Sequence, residues 1–143
     1  MKKLSAFLGK WKTEGAFANG NMVTSDLECR WSPQGQYLVC EQQVKMGPNQ
    51  SHQLTVYSYN AKDGAYNYTT FQDSAKPSTG TLRINGYVWV YLSSFERDGK
   101  TVQVRNTNRF PNPQTEEFKV ESSDDGGATW TPLLQGSARR TGN

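Results

Sequence analysis

Apolar and polar positions alternate with period two along most of the chain. Val102 and Val104, for example, alternate with Gln103, Arg105, Thr107 and Arg109. That periodicity marks half-buried β-strands. Five turn dipeptides punctuate the runs: Gln34-Gly35, Asp63-Gly64, Asn85-Gly86, Asp98-Gly99 and Asp125-Gly126. Asn-Gly and Asp-Gly supply the positive φ angles of tight hairpins. Their close spacing leaves no room for crossover helices, so sequential strands should pair antiparallel. The pattern predicts ten strands, at about 10–17, 22–32, 36–46, 52–59, 65–72, 78–84, 87–96, 100–109, 115–123 and 128–139. The expected connections include Ala18-Asn19-Gly20, Gly47-Pro48-Asn49 and Ser74-Ala75-Lys76-Pro77. One short helix is predicted over 3–8, with Leu4, Phe7 and Leu8 on one face and Gly9 as its stop.

Ten meandering strands leave two exposed edges unless the sheet closes on itself. The expected fold is therefore all-β: a single antiparallel up-and-down barrel filling one domain over residues 1–143. Strand seven, Tyr87-Val88-Trp89-Val90-Tyr91-Leu92, is apolar on both faces. Its outer side needs a cover, for which the N-terminal helix is one candidate; the alternative is that the helix plugs one barrel end.

Composition sharpens this picture. Only 34% of the residues are hydrophobic, yet there are four Trp, seven Tyr and six Phe. A helical domain that polar would struggle to fill its core, whereas a barrel with a partly polar lumen would not. A net charge of +3, spread along the chain, offers no basic block for nucleic acid. No apolar run approaches the roughly 20 residues that span a bilayer. Met1-Lys2-Lys3 mimics the start of a signal peptide, but no apolar core follows it.

Gly9-Lys10-Trp11 opens the first strand and Arg139-Arg140 closes the last. In a barrel these strands are neighbours, so one of the guanidinium groups should lie over Trp11 and seal one end. Such a contact is worth about 0.5–2 kcal/mol. A ligand contact for Trp11 is the alternative. The segment Gly9-Lys10-Trp11-Lys12-Thr13-Glu14-Gly15 resembles the opening of lipocalin-like (calycin) barrels, and most closely that of the bacterial DUF1579 family of unknown function. Three further pieces match that family in order: Cys29-Arg30-Trp31-Ser32 with Gly35 and Leu38-Val39-Cys40; Tyr59 with Asp63-Gly64 and Tyr66; and Ser122-Ser123-Asp124-Asp125-Gly126-Gly127 with Trp130. The resemblance spans nearly the whole chain and implies a β-barrel with an internal cavity. It brings no established catalytic residues.

Cys29 and Cys40 flank the second hairpin. With Gln34-Gly35 as a two-residue loop they face each other directly and Trp31 pairs with Leu38; a three-residue loop would set the cysteines diagonally. A direct pair has the separation that a disulfide requires. The reading favours the disulfide over two buried thiols, and with it a periplasmic or secreted protein whose leader has been removed. A cytoplasmic location is the alternative.

Several motifs point to no chemistry. Ser123-Asp124-Asp125-Gly126-Gly127-Ala128-Thr129-Trp130 matches the Asp-box hairpin of sialidase propellers, but a propeller repeats that unit and this chain has one copy. It reads as turn chemistry. His52 is the only histidine, although related nitrobindin-type barrels bind haem through a histidine. It sits near a strand start in a polar stretch, so neither metal nor haem is expected. Glu116 and Glu117 are adjacent on a strand and point to opposite faces, so they cannot converge.

The best functional expectation is binding of a small hydrophobic or aromatic molecule in the lumen, with no cofactor. Candidate ligand contacts are Trp31, Tyr57, Tyr66, Tyr68, Trp89, Tyr91 and Phe95, although strand parity cannot place all of them inside. Arg105 reads as part of a solvated outer row, and becomes a ligand-orienting cation if a polar lumen inverts that row. Trp11, Arg139 and Arg140 are assigned to barrel closure. An enzyme without a cofactor is the second reading; it needs a buried carboxylate or tyrosine, and Glu41 and Glu14 are the first to check, although both read as surface residues. A structural or homodimerising module, with strand seven as the contact, is the third.

Overall fold

The computed structural model describes residues 2–73 and 75–143. Met1, and Ser74 of the expected loop, lie outside the described residues. A 3-10 helix, Lys2–Phe7, is followed by ten strands. These are β1 (Gly9–Phe17), β2 (Met22–Trp31), β3 (Leu38–Met46), β4 (Asn49–Asn60), β5 (Ala65–Gln72), β6 (Ser78–Asn85), β7 (Val88–Arg97), β8 (Lys100–Asn112), β9 (Thr115–Ser123) and β10 (Thr131–Gly142). Every strand pairs antiparallel with its sequence neighbours, and β1 pairs with β10 to close the barrel. Among the described residues no helix is long and apolar enough to cross a membrane.

Four strand boundaries depart from the sequence expectation by three residues: the start of β4, the end of β8 and both ends of β10. At β3–β4, Met46 pairs directly with Asn49, so the turn is two residues, with Gly47 at φ 55°. The β8 strand runs on through Pro111 to Asn112, its register against β9 shifting after Arg109. At β10 the strand starts three residues late because the Asp-box motif holds its own turn. Asp125 Oδ1 accepts from Ser123 Oγ (2.7 Å) and from the Thr129 amide (2.9 Å), and Ser123 Oγ accepts from the Gly127 amide (2.9 Å). The hydroxyl hydrogen bond from Thr129 is the chief cause that holds the Asp125 carboxyl well below the usual carboxylate range.

The N-terminal segment is a plug. In a 3-10 helix positions i and i+3 eclipse, so Leu4 and Phe7 share a face, and both are buried. Phe7 stands edge-on to Trp89 (4.7 Å between centroids) and Phe110 (5.4 Å), inside one barrel end. The outer side of β7 is not covered by this helix; Val88 and Val90 are half-buried and Leu92 is 37% exposed.

Closure follows from β1–β10 register. Trp11 pairs with Arg140, Thr13 with Ala138 and Gly15 with Gly136. The Arg140 guanidinium lies 4.5 Å from the centre of the Trp11 ring. It also donates to the carbonyls of Leu8 and Ala6 (2.8 Å for Ala6), while Trp11 Nε1 donates to Phe7 O at 3.0 Å. Arg140 and Trp11 thus fasten the plug to the seam. Arg139 belongs to the other parity and is exposed, so closure rests on one arginine, not two. The facing glycines are needed because the Phe118 ring crosses them: a Cβ on Gly136 would sit 2.7 Å from Phe118 Cζ and 2.6 Å from Gly15 Cα.

Cys29 and Cys40 are direct partners, with Trp31 opposite Leu38, in the register of the two-residue loop. They form a disulfide with a Cα–Cα distance of 4.1 Å. For a loop this short, its removal should lower stability by about 2–3 kcal/mol. Intact mass before and after reduction and alkylation checks the bond; two thiols that alkylate without reduction refute it.

Candidate functional site

Strand parity builds a lumen that one end leaves open. Inward residues include Leu27, Val44, Val104, Val120 and Leu134, which supply apolar wall. Ser25, Gln42, Gln53, Thr55 and Thr70 interrupt it with polar groups that are largely paired with one another. Gln42 Nε2 donates to Ser25 Oγ (2.7 Å), Thr13 and Ser25 share a hydroxyl hydrogen bond, and the Thr55 and Thr70 hydroxyls lie 2.9 Å apart. The cavity so enclosed measures about 570 Å³. Its mouth is at Met46 and Gln72, which are exposed, and its floor is the plug residue Phe7. A second concavity of about 680 Å³ lies on the outer wall. Its rim is the exposed Glu14, Arg109, Glu117 and Lys119, so it offers a solvated surface where the lumen offers shelter.

The floor carries the chemistry. Tyr57, Tyr68 and Tyr91 reach it from β4, β5 and β7, and the Tyr57 and Tyr91 hydroxyls lie 3.4 Å apart. Tyr68 fits because Gly80 opposes it: a Cβ there would stand 2.6 Å from Tyr68 Cζ. Burial pushes the Tyr57 and Tyr91 phenols well above their ordinary range, and that of Tyr68 upward as well. Glu116 reaches the same space from β9 and is 5% exposed. Burial pushes its carboxyl up from 4.5 to about 8, so it is largely a neutral acid at pH 7. The carbonyl oxygens of Asn106 and Asn108, on β8, are buried there without a hydrogen-bond partner.

No protein-family model matches the chain, and no curated protein does. Solved structures do. Over 98% of this chain and 91% of the other, it is similar to an S-type phycobiliprotein lyase from Guillardia theta, at 9% identity and a TM-score of 0.64. A de novo designed fluorescence-activating β-barrel is similar over 99% of both chains (12% identity, TM-score 0.53). A further barrel, bound to DFHBI, is similar over 96% of both (8% identity, TM-score 0.50). The fold is calycin-like.

Within that calycin-like barrel the sequence-predicted contacts separate by depth. Tyr57, Tyr68 and Tyr91 line the cavity. Trp89 and Tyr66 are buried at the plugged end instead, Trp89 against Phe7 and Phe110 and Tyr66 beside Tyr59 (5.0 Å). Trp31 is half-buried and packs against the same core cluster. Parity alone could not exclude these three; the plug takes up the end of the lumen they face. Phe95 is 47% exposed and does not line the cavity. Arg105 is on the outer wall, 4.0 Å over the Trp130 ring and 3.2 Å from Glu121 Oε1. It buttresses the Asp-box turn and does not line the lumen, because Val104, Asn106 and Asn108 have the inward parity. His52 is exposed on the outer wall, 3.9 Å from Glu41 Oε2.

The two carboxylates named for the enzyme reading lie at the surface, as their positions in the sequence suggested. Glu41 is solvated and hydrogen-bonded by Arg30 (2.8 Å), which holds its carboxyl below the usual range, and Glu14 is exposed. Glu116, which sequence reasoning passed over, is the carboxyl buried in the lumen. A signal for it existed: Glu116, Phe118 and Val120 share one strand face, and that face was due to be apolar.

Proposed function

We propose that the lumen binds one small, mainly apolar or aromatic molecule. The observation that carries this reading is the sheltered cavity of about 570 Å³, walled by aliphatic side chains and floored by three tyrosines. Binding pockets have this make-up, apolar with a few convergent polar groups. A lumen filled by side chains would have favoured a purely structural role, and this one is not filled. The likeness to a designed fluorescence-activating barrel and to a barrel bound to DFHBI lends support by fold. The ordered motifs around Trp11, Cys29–Cys40 and Ser123–Trp130 support membership of DUF1579, and the disulfide supports an oxidising, extracytoplasmic setting.

None of the four tryptophans lines the cavity, so their emission is a poor reporter of occupancy. A neutral environment-sensitive dye such as 1-aminoanthracene is a better probe. Saturable dye enhancement should appear with the native protein. It should weaken roughly tenfold or more in Thr55→Trp, which sets a ring across the lumen, while circular dichroism stays native. Undiminished binding to that variant would move the site elsewhere.

A second reading is favoured by Glu116: a neutral, buried acid near two phenols is the equipment of cofactor-free acid–base chemistry. It predicts a ligand recovered chemically changed from the native protein and unchanged from Glu116→Gln. A ligand recovered intact from both removes it.

A further inference from the structure

The floor holds groups that a purely apolar ligand leaves unused. Glu116 is 5% exposed, lines the cavity, and has neither a hydrogen bond nor an ion pair among the described residues. The side-chain carbonyl oxygens of Asn106 and Asn108 are likewise unpartnered. Three tyrosine rings stand against one another at mutual centroid distances of 6.2, 5.4 and 6.2 Å (Tyr57–Tyr68, Tyr68–Tyr91 and Tyr57–Tyr91). Among the described residues that line the lumen there is no Lys, Arg or His. Arg140, two residues beyond Ala138 on β10, is turned to the Ala6 and Leu8 carbonyls of the plug.

Once Glu116 is ionised, these groups together favour one sign of ligand charge. An aromatic face is the negative part of a ring's quadrupole, and clustered faces are the usual receptor for ammonium groups. Carbonyl oxygens accept from N–H donors, and a carboxyl can become a counter-ion. An anion would meet the same groups with no cation to offset them.

We propose that the lumen floor receives the ammonium head of an organic amine with an aromatic body, with Tyr57, Tyr68 and Tyr91 as the cage and Glu116 as the counter-ion. This rests on the lumen being a ligand site and adds the charge of the ligand. It also predicts rejection of carboxylates, including fatty acids.

Binding is then coupled to a proton. The titratable groups facing Glu116 are the phenols of Tyr57 from β4 and Tyr91 from β7, with Tyr68 from β5 beside them; all three stay neutral because burial raises them. Phe7 of the plug, Ala138 of β10 and Asn108 of β8 bring no charge. An arriving ammonium favours the carboxylate, so below about pH 8 the Glu116 carboxyl gives its proton to solvent as the cation binds. Affinity therefore rises with pH up to about that value and then levels.

Three probes with one ring system separate the possibilities: 1-naphthylmethylamine, 1-naphthylmethanol and 1-naphthoate, titrated calorimetrically. At pH 8 the amine should bind at least about tenfold tighter than the alcohol, with the carboxylate weakest. Glu116→Gln should weaken the amine far more than the alcohol, narrowing the gap between them to less than about threefold. Tyr91→Leu should weaken the amine more than the alcohol. Proton release should accompany amine binding to the native protein at pH 6–7, and vanish in Glu116→Gln. An amine no better than the alcohol, or a carboxylate that binds tightest, overturns the ammonium assignment while leaving the ligand site standing. No saturable binding of any probe overturns both.

Discussion

Replacing Trp11 by Ala should lower the unfolding free energy by about 3–5 kcal/mol, the range for large buried aromatics. Trp11 is 1% exposed and has three kinds of contact to lose. Its ring packs edge-on against Phe7 and Phe110 at 6.4 and 6.3 Å, its indole N–H holds the Phe7 carbonyl, and its face carries the Arg140 guanidinium. The cavity left behind would open at the seam, where β1 meets β10, and under the plug. Arg140→Ala should cost less, about 1–3 kcal/mol, because it frees two plug carbonyls at a partly exposed site. Arg139→Ala should leave stability within about 0.5 kcal/mol, since the residue is exposed. Urea denaturation midpoints check all three. An unchanged midpoint for Trp11→Ala, or equal effects at Arg139 and Arg140, would refute this account of closure.

Glu116 should make the protein less stable as pH rises, against the usual behaviour of carboxylates. In the fold its carboxyl titrates at about 8, against 4.5 when free. Between those values the native state keeps a proton that the unfolded chain has given up, so raising pH favours unfolding. The loss begins near pH 4.5, grows by about 1.4 kcal/mol per pH unit, and levels above about pH 8. Between pH 5 and pH 8 it should reach on the order of 3 kcal/mol. Glu116→Gln keeps the shape and removes the charge, so the difference between native protein and variant isolates this carboxyl from all others. The variant should be markedly the more stable at pH 8 and nearly equal at pH 5. Parallel stability-versus-pH curves would mean that Glu116 finds water or a partner on ionising.

Most of the barrel was readable before any coordinate. Period-two alternation and Gly-containing turns are local signals, and each hairpin needs only its own turn to set its register. The Cys29–Cys40 opposition followed from one such turn, Gln34-Gly35, and the Asp-box hydrogen bonds from a run of eight residues. Closure was readable too, because an up-and-down sheet of ten strands has to hide its edges. What the chain alone could not reveal was depth. Parity shows which residues turn inward but not how far along the axis the lumen stays empty. That was decided by the plug: Phe7 fills one end, which turns Trp31, Tyr66 and Trp89 into core and leaves Tyr57, Tyr68 and Tyr91 as floor. The burial of Glu116 was decided the same way, by a side of the wall that only the closed barrel defines, whereas the outer position of Arg105 already followed from the alternation of its row. Glu116 is the plainest case: on the strand it is one of two adjacent glutamates, and only the assembled floor removes its water and supplies its tyrosines.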